Sequence, residues 1–277
     1  MALLKTVSEI TLARINECVT AVSSYYLLAV RAIYGSTKQE RPEHIGSCIL
    51  LNLRGTPLLL TAAHVIDNNA HTTLYVGGKT SLVQIDGDFL ATTAPEGSRD
   101  RDRHDFAIWK IPPHIVSELG DVKYIIEGEL AQEAIRNEGR LFLVLGYPNT
   151  KNKGADISKK AVKSELWKYA STAKSSDSLA KTLGISGTDH LFVGFNKKRS
   201  KDSAGNVVHS IKPTGVSGGA LIDLGFPAHP KNLGMNTDCR GLLAGLLIEF
   251  HAGHSLFVAT RITTILRAID AWLIRVV

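Results

Sequence analysis

The stretch that decides the reading is Pro213-Thr214-Gly215-Val216-Ser217-Gly218-Gly219-Ala220-Leu221, a serine set among glycines that then runs into an apolar, strand-like segment. Glycines at 215, 218 and 219 permit a tight loop whose backbone N–H groups converge on one point, as stabilisation of a developing oxyanion requires. Alone, the segment is equally well explained as a turn without function. Two further stretches change the balance. Leu58 to His64 (LLLTAAH) is an apolar run leading into small residues and a histidine, which sets the imidazole at a strand end. Asp105 to Ile111 (DFAIWKI) sets a carboxylate at the mouth of an alternating strand. Each has a bland explanation by itself, a structural histidine in one case and turn chemistry in the other.

Working outward, short β-prone runs separated by turn signals cover Leu27–Tyr34, Ile45–Leu53, Leu58–Thr61, Thr72–Val76, Ser81–Ile85, Phe89–Thr92 and Phe106–Ile111. Arg54-Gly55 and Gly77-Gly78 read as turns, and Pro112-Pro113 closes the first β unit near residue 115. A second group comprises Leu141–Leu145, Leu191–Phe195, Val207–Ile211, Ala220–Ile222, Leu242–Phe250 and Leu256–Ala259. Residues 157–183 carry no strand signal and read as a helical insertion or mobile loop, and Lys197–Lys201 with the following Ser203 to Asn206 as a solvated hairpin tip. Ile10, Leu12, Ile15, Cys18 and Val19 fit a helical period from Ser8, its expected cap. Ile265, Leu266, Ile269, Trp272 and Leu273 fit a closing amphipathic helix.

The chain has 277 residues, 44% apolar and 21% charged, which is enough to bury a sizeable core and excludes disorder, collagen and coiled coil as descriptions of the whole. The apolar stretch between Glu17 and Arg31 is too short and too polar to span a bilayer, and the N-terminus lacks the features of a secretory signal, so a cytoplasmic protein without membrane contact is expected. Three cysteines without a CxxC pair read as reduced, mostly buried thiols. The histidines show no ligand spacing such as HExxH, so neither a metal nor another cofactor is expected. Residues 151–174 hold seven lysines against Asp156 and Glu165, a net of +5 within a chain of net +6. A solvated surface explains them best; nucleic acid is a less favoured partner.

Taken together, His64, Asp105 and Ser217, in that order in an all-β chain, resemble the trypsin-like (chymotrypsin-fold) serine peptidases. The likeness rests on Thr61-Ala-Ala-His64, Asp105-Phe-Ala-Ile and Gly215-Val-Ser217-Gly-Gly. It extends through Ile45-Gly46-Ser47, Leu145-Gly-Tyr-Pro148, the Leu242–Phe250 strand and the closing helix. It implies two packed six-stranded antiparallel barrels with a catalytic cleft between them. On that pattern residues 1–23 form a helical extension and 24–118 a first barrel carrying His64 and Asp105. Residues 119–260 form a second barrel carrying Ser217, with a basic insertion at 151–205, and 261–277 the final helix.

The resemblance further implies that Ser217 attacks the scissile carbonyl, His64 is the base, Asp105 orients it, and the N–H groups of Gly215 and Ser217 form the oxyanion hole. It puts the primary pocket near Ile211, Leu247, Ile248, Glu249 and Phe257, with Phe257 favouring small or apolar side chains. Val216 stands where secreted members carry an aspartate that pairs with a new N-terminal amine, so activation by trimming is not expected. A compact intracellular bacterial enzyme is implied instead, and the expected cytosolic setting, where a protease must stay quiet until triggered, points to regulation, as in antiviral defence. Its partners would be protein substrates and an activating protein, with the 151–205 segment gating the cleft or docking that partner. The competing readings are a catalytically silent module that binds nucleic acid or protein through its basic segment, and an esterase-like hydrolase using the same three residues.

Overall fold

Thr6 and Glu9 cap each other at the start of the chain's first helix: Thr6 Oγ1 accepts the Glu9 N–H (3.2 Å) and the Glu9 carboxylate accepts the Thr6 N–H (2.7 Å). The cap is therefore Thr6, not Ser8. Helix α1 (Val7–Tyr26) also runs well past Val19, because Val22, Ser23 and Tyr26 continue the buried stripe begun by Arg14 and Cys18. The structure is a computed structural model. It describes all residues except 1–4, 40, 133–138, 153–154, 157–160, 163, 175, 199, 203, 234–237 and 276–277.

The strands that follow are β1 (Val30–Ser36), β2 (Pro42–Leu53) and β3 (Thr56–Thr61), then the short helix α2 (Ala63–Ile66), β4 (Leu74–Gly77), β5 (Leu82–Ile85), β6 (Phe89–Ala91), β7 (Ala107–Lys110) and helix α3 (Pro113–Leu119). The rest comprises β8 (Leu141–Gly146), β9 (Ala155–Asp156), β10 (Ala161–Val162), β11 (Trp167–Thr172), helix α4 (Ser176–Leu183), β12 (His190–Gly194), β13 (Ser200–Lys201), β14 (Val207–Val208), β15 (Ala220–Asp223), β16 (Leu242–His251), β17 (Leu256–Arg261) and helix α5 (Ile262–Arg275). They build two antiparallel sheets, seven strands in the order β5-β4-β1-β2-β3-β7-β6 and six in the order β11-β8-β15-β16-β17-β12. The fold is the mostly-β, chymotrypsin-like pair of curled sheets that the resemblance implied, with seven strands rather than six in the first.

Alternation along the central strands explains why they read as unbroken apolar runs. Ile49 and Leu51 of β2, Leu58 and Leu60 of β3 and Ile108 of β7 join the core shared with the second sheet. Their neighbours Cys48, Leu50, Leu59, Ala107 and Trp109 join a core of first-sheet residues. Both faces are buried, so no polar residue interrupts the pattern. Between β2 and β3 the turn residues Arg54 and Gly55 both have positive φ (51° and 76°), the two-residue hairpin geometry.

Two expectations are corrected. Residues 157–183 are not simply an insertion, because β11 is the edge strand of the second sheet, paired along β8 from Trp167↔Gly146 to Thr172↔Leu141. Lys168 and Thr172 are exposed at this edge and, with Ser171, hide the strand from a sequence reading, while Trp167 is buried. Trimming residues 152–180 would therefore remove a sheet strand and could not isolate a gating loop. Second, Cys18 and Cys239 form a disulfide across 221 residues, with Cα atoms 4.8 Å apart, leaving Cys48 as the free, buried thiol. α1 brings them together by lying along the approach to β16: Tyr26 Oη donates to Gly241 O (2.7 Å). That removes the three free thiols as a ground for a reducing compartment. Among the described residues no helix is long and apolar enough to cross a membrane.

Candidate active site

The pairing of β3 with β7 closes the gap between histidine and aspartate. Thr61 lies opposite Ala107, so the residues just beyond one strand meet those just before the other. Ala63 N–H donates to Asp105 O (3.2 Å) and His64 N–H to Asp105 Oδ1 (2.9 Å), while His64 Nδ1 lies 2.6 Å from Asp105 Oδ2. The imidazole is 39% exposed and the carboxylate 10%, so one ring edge faces solvent and the other a desolvated anion. Burial disfavours the imidazolium of His64, but the hydrogen bond and charge of Asp105, aided by Asp67, outweigh it and the net shift is upward. Asp105 has φ +43°, a left-handed conformation uncommon away from glycine.

Ser217 arrives from the other sheet on the loop before β15. Ser47 N–H of β2 donates to Ser217 O (2.8 Å), Gly218 N–H to Leu247 O (2.7 Å), Leu247 N–H to Gly219 O (2.8 Å) and Asn149 N–H to Thr214 O (2.8 Å). Gly215 (φ +94°) and Gly218 (φ +82°) supply backbone that few other residues adopt. Val216 is buried, 3% exposed, and a Cβ on Gly146 would lie 3.2 Å from its side chain, so apolar packing and the Asn149 bond order this loop. His44 Nδ1 holds Asn149 Oδ1 at 2.7 Å. Among the described residues the N–H groups of Gly215 and Ser217 have no acceptor, whereas those of Val216, Gly218 and Gly219 are bonded within the protein. Free donors of this kind, on either side of Val216, can receive a developing negative charge.

His64, Asp105, Gly215 and Ser217 line one cleft of about 530 Å³. Ser217 Oγ donates to Ile248 O (3.3 Å), and no hydrogen bond joins it to His64. In free sites hydrogen bonds of this kind are often long or poorly aligned and form only when substrate is bound. Of the five residues expected around the pocket, Ile248 and Glu249 line the cleft. Leu247 and Phe257 do not: each is 1% exposed in the core, and Ile211 packs against that core. A register shift between Leu247 and Glu249 turns the next two residues of β16 to the cleft, and Phe257 is held among Trp167, Tyr169, Phe195 and Phe250.

Lys212, Thr214 and Phe250 also line the cleft, within or beside the segments the sequence singled out, whereas Arg99, Asp100 and Asp102 escaped the sequence reading. Spacing offered one hint: Asp102 precedes Asp105 by three residues, as a side chain that receives backbone N–H groups does. No described group of three His, Cys, Asp or Glu residues is arranged to hold a metal ion.

The model of the trypsin-like peptidase domain matches residues 46–225. No curated protein sequence matches the chain. Similar solved structures include the inactive form of the Rv3671c protease of M. tuberculosis H37Rv, 14% identical with a TM-score of 0.48 over 90% of this chain and 91% of that one. A Glu endopeptidase in complex with MPD is 14% identical, TM-score 0.46, over 86% of this chain and 88% of that one. The serine protease domain of the Sesbania mosaic virus polyprotein is 16% identical, TM-score 0.44, over 83% and 88%.

Proposed function

The chain belongs to the trypsin-like peptidase family, and from that premise we propose that it is a serine endopeptidase using Ser217 as nucleophile, His64 as general base and acid, and Asp105 as the group that orients His64. The observation that carries this reading is that a carboxylate-held imidazole, a serine hydroxyl and the residues of two N–H groups without acceptors line one cleft. Ser217 Oγ rotates from Ile248 O toward His64 Nε2, gives up its proton there and attacks the substrate carbonyl carbon. The carbonyl oxygen, now anionic, takes hydrogen bonds from the Gly215 and Ser217 N–H groups; each such donor is worth about 3 kcal/mol of barrier. His64 then protonates the departing amine, leaving an acyl-serine. Water, deprotonated by the same imidazole, releases the acid and restores the hydroxyl.

Asp105 Oδ2, at 2.6 Å, keeps the proton on Nδ1 and so leaves Nε2 as the base. The upward shift of His64 strengthens that base and moves the onset of activity to higher pH than a free imidazole would give. The test is cleavage of internally quenched peptides and matched esters by the wild type and by Ser217→Ala. Peptide cleavage lost in the variant supports the endopeptidase; turnover of esters alone favours the esterase-like hydrolase. No turnover and no covalent labelling of a folded wild type favours a binding module.

A further inference from the structure

Resting on that assignment of His64 and Asp105, we propose that Asp67, Arg99 and Asp102 form a brace that fixes the two groups relative to one another, with Arg99 as a positioning residue for the reaction. His64 lies in α2, and the next turn begins at Asp67. Asp105 lies at the far end of the loop between β6 and β7. Arg99 spans the two: its Nε and Nη2 donate to both Asp67 carboxylate oxygens (2.8 and 2.9 Å), and its Nη1 donates to Asp102 Oδ2 (2.6 Å) and to Thr92 O (2.8 Å). The fork onto Asp67 is bidentate, the geometry that fixes orientation as well as distance.

Asp102 carries the brace to Asp105. Its Oδ1 accepts the N–H groups of His104 (3.1 Å) and Asp105 (3.0 Å), and the Thr92 hydroxyl donates to Oδ2. Those bonds hold Asp105 at its φ of +43°, a strained conformation that persists only where neighbours impose it. Thr92 is itself locked to the start of the strand, accepting the Phe106 N–H at Oγ1 (3.1 Å) and donating its own N–H to Phe106 O (2.9 Å). The Asp102 side chain is 4% exposed and that of Arg99 21%, so the Asp102 end of the brace is shielded, while Asp67 is half exposed and the guanidinium borders the cleft.

A purely electrostatic role predicts something different. Removing a cation near His64, and unmasking Asp67, would raise the pH at which the imidazole titrates and leave the rate unchanged above it. Loss of a brace instead loosens the His64–Asp105 contact and lowers the rate at every pH, because misplacement by about 1 Å costs on the order of 100-fold.

The experiment compares the full-length wild type with Arg99→Met, Arg99→Lys and Asp67→Asn. It measures thermal unfolding, kcat and KM on a short peptide from about pH 5 to 10, and the low-field proton NMR signal of the His64 Nδ1–H. For folded Arg99→Met the expected result is kcat lower by about 10- to 100-fold with KM little changed, and a low-field signal broadened or lost. Arg99→Lys recovers part of the rate, since an ammonium reaches one carboxylate but cannot fork. If Arg99→Met does not fold, Asp67→Asn breaks the same end of the brace with a neutral isostere and is read in the same way. A sharp low-field signal with alkaline kcat within about threefold of wild type overturns the proposal. The signal needs no turnover, so the brace is decided even if the wild type cleaves no peptide, an outcome that would count against the endopeptidase alone.

Discussion

Replacing Gly218 by alanine tests how tightly the serine loop is tied to the first sheet. At φ +82° an ideal Cβ would fall 1.9 Å from the Ser47 carbonyl oxygen and 2.4 Å from Thr61 Oγ1, and Thr61 Oγ1 itself donates to Ser47 O at 2.7 Å. An ordinary C···O contact is about 3.3 Å, so one side must retreat by roughly 1.4 Å. Ser47 sits in β2, between β1 and β3 at the centre of the seven-stranded sheet, so the loop moves and carries Ser217 with it. The left-handed conformation costs about 1–2 kcal/mol. Loss of the Ser47 N–H to Ser217 O and Gly218 N–H to Leu247 O bonds adds about 1 kcal/mol each. Urea denaturation of Gly218→Ala should therefore show a loss of about 3–4 kcal/mol, with kcat/KM down on the order of 100-fold. Gly55→Ala isolates the backbone strain: φ is +76°, nothing lies within 4 Å of its Cβ, and stability alone should fall, by about 1–2 kcal/mol. Gly218→Ala with wild-type activity and a stability loss no greater than that of Gly55→Ala would refute the reasoning.

Asp105→Asn should keep the fold and lower kcat by about 10⁴-fold, because the amide no longer holds the His64 tautomer; near-normal kcat on the peptide substrate would contradict it. His44 is shifted downward by burial, though its bond to Asn149 opposes this. Its contribution to stability is present above the unfolded-state value near 6.5 and is lost as pH falls through the lower folded value. Chemical unfolding between about pH 7 and 5 should show this acid limb at up to about 1.4 kcal/mol per pH unit, and His44→Gln should flatten it. Mass-resolved alkylation in denaturant without reductant should find one reactive thiol among the three cysteines, and three after reduction. Cys239→Ser should lower stability by about 2–5 kcal/mol.

How far the site could be read from sequence follows from how each residue is placed. His64, Asp105 and Ser217 each stand at the end of a strand whose own residues announce it, so position along the chain translated directly into position in the cleft. The brace through Arg99 is different. Its two anchors, Asp67 and Asp102, are brought to one guanidinium by the path of irregular chain, which has no periodicity to read. The same holds for Cys18 and Cys239, joined only because α1 crosses the approach to β16. In β16 the alternation that sorts inward from outward residues fails at the register shift, which is why Leu247 is core while Ile248 and Glu249 face the cleft. β11 was hidden by its edge position, where polar residues are tolerated.

The central claim, that His64, Asp105 and Ser217 act as one nucleophilic unit, is tested most directly by intact-mass analysis after treatment with a fluorophosphonate. The expected result is one adduct per chain on the wild type, none on Ser217→Ala, and much slower labelling of His64→Ala. A folded wild type that takes no adduct, or an adduct that persists on Ser217→Ala, would contradict it.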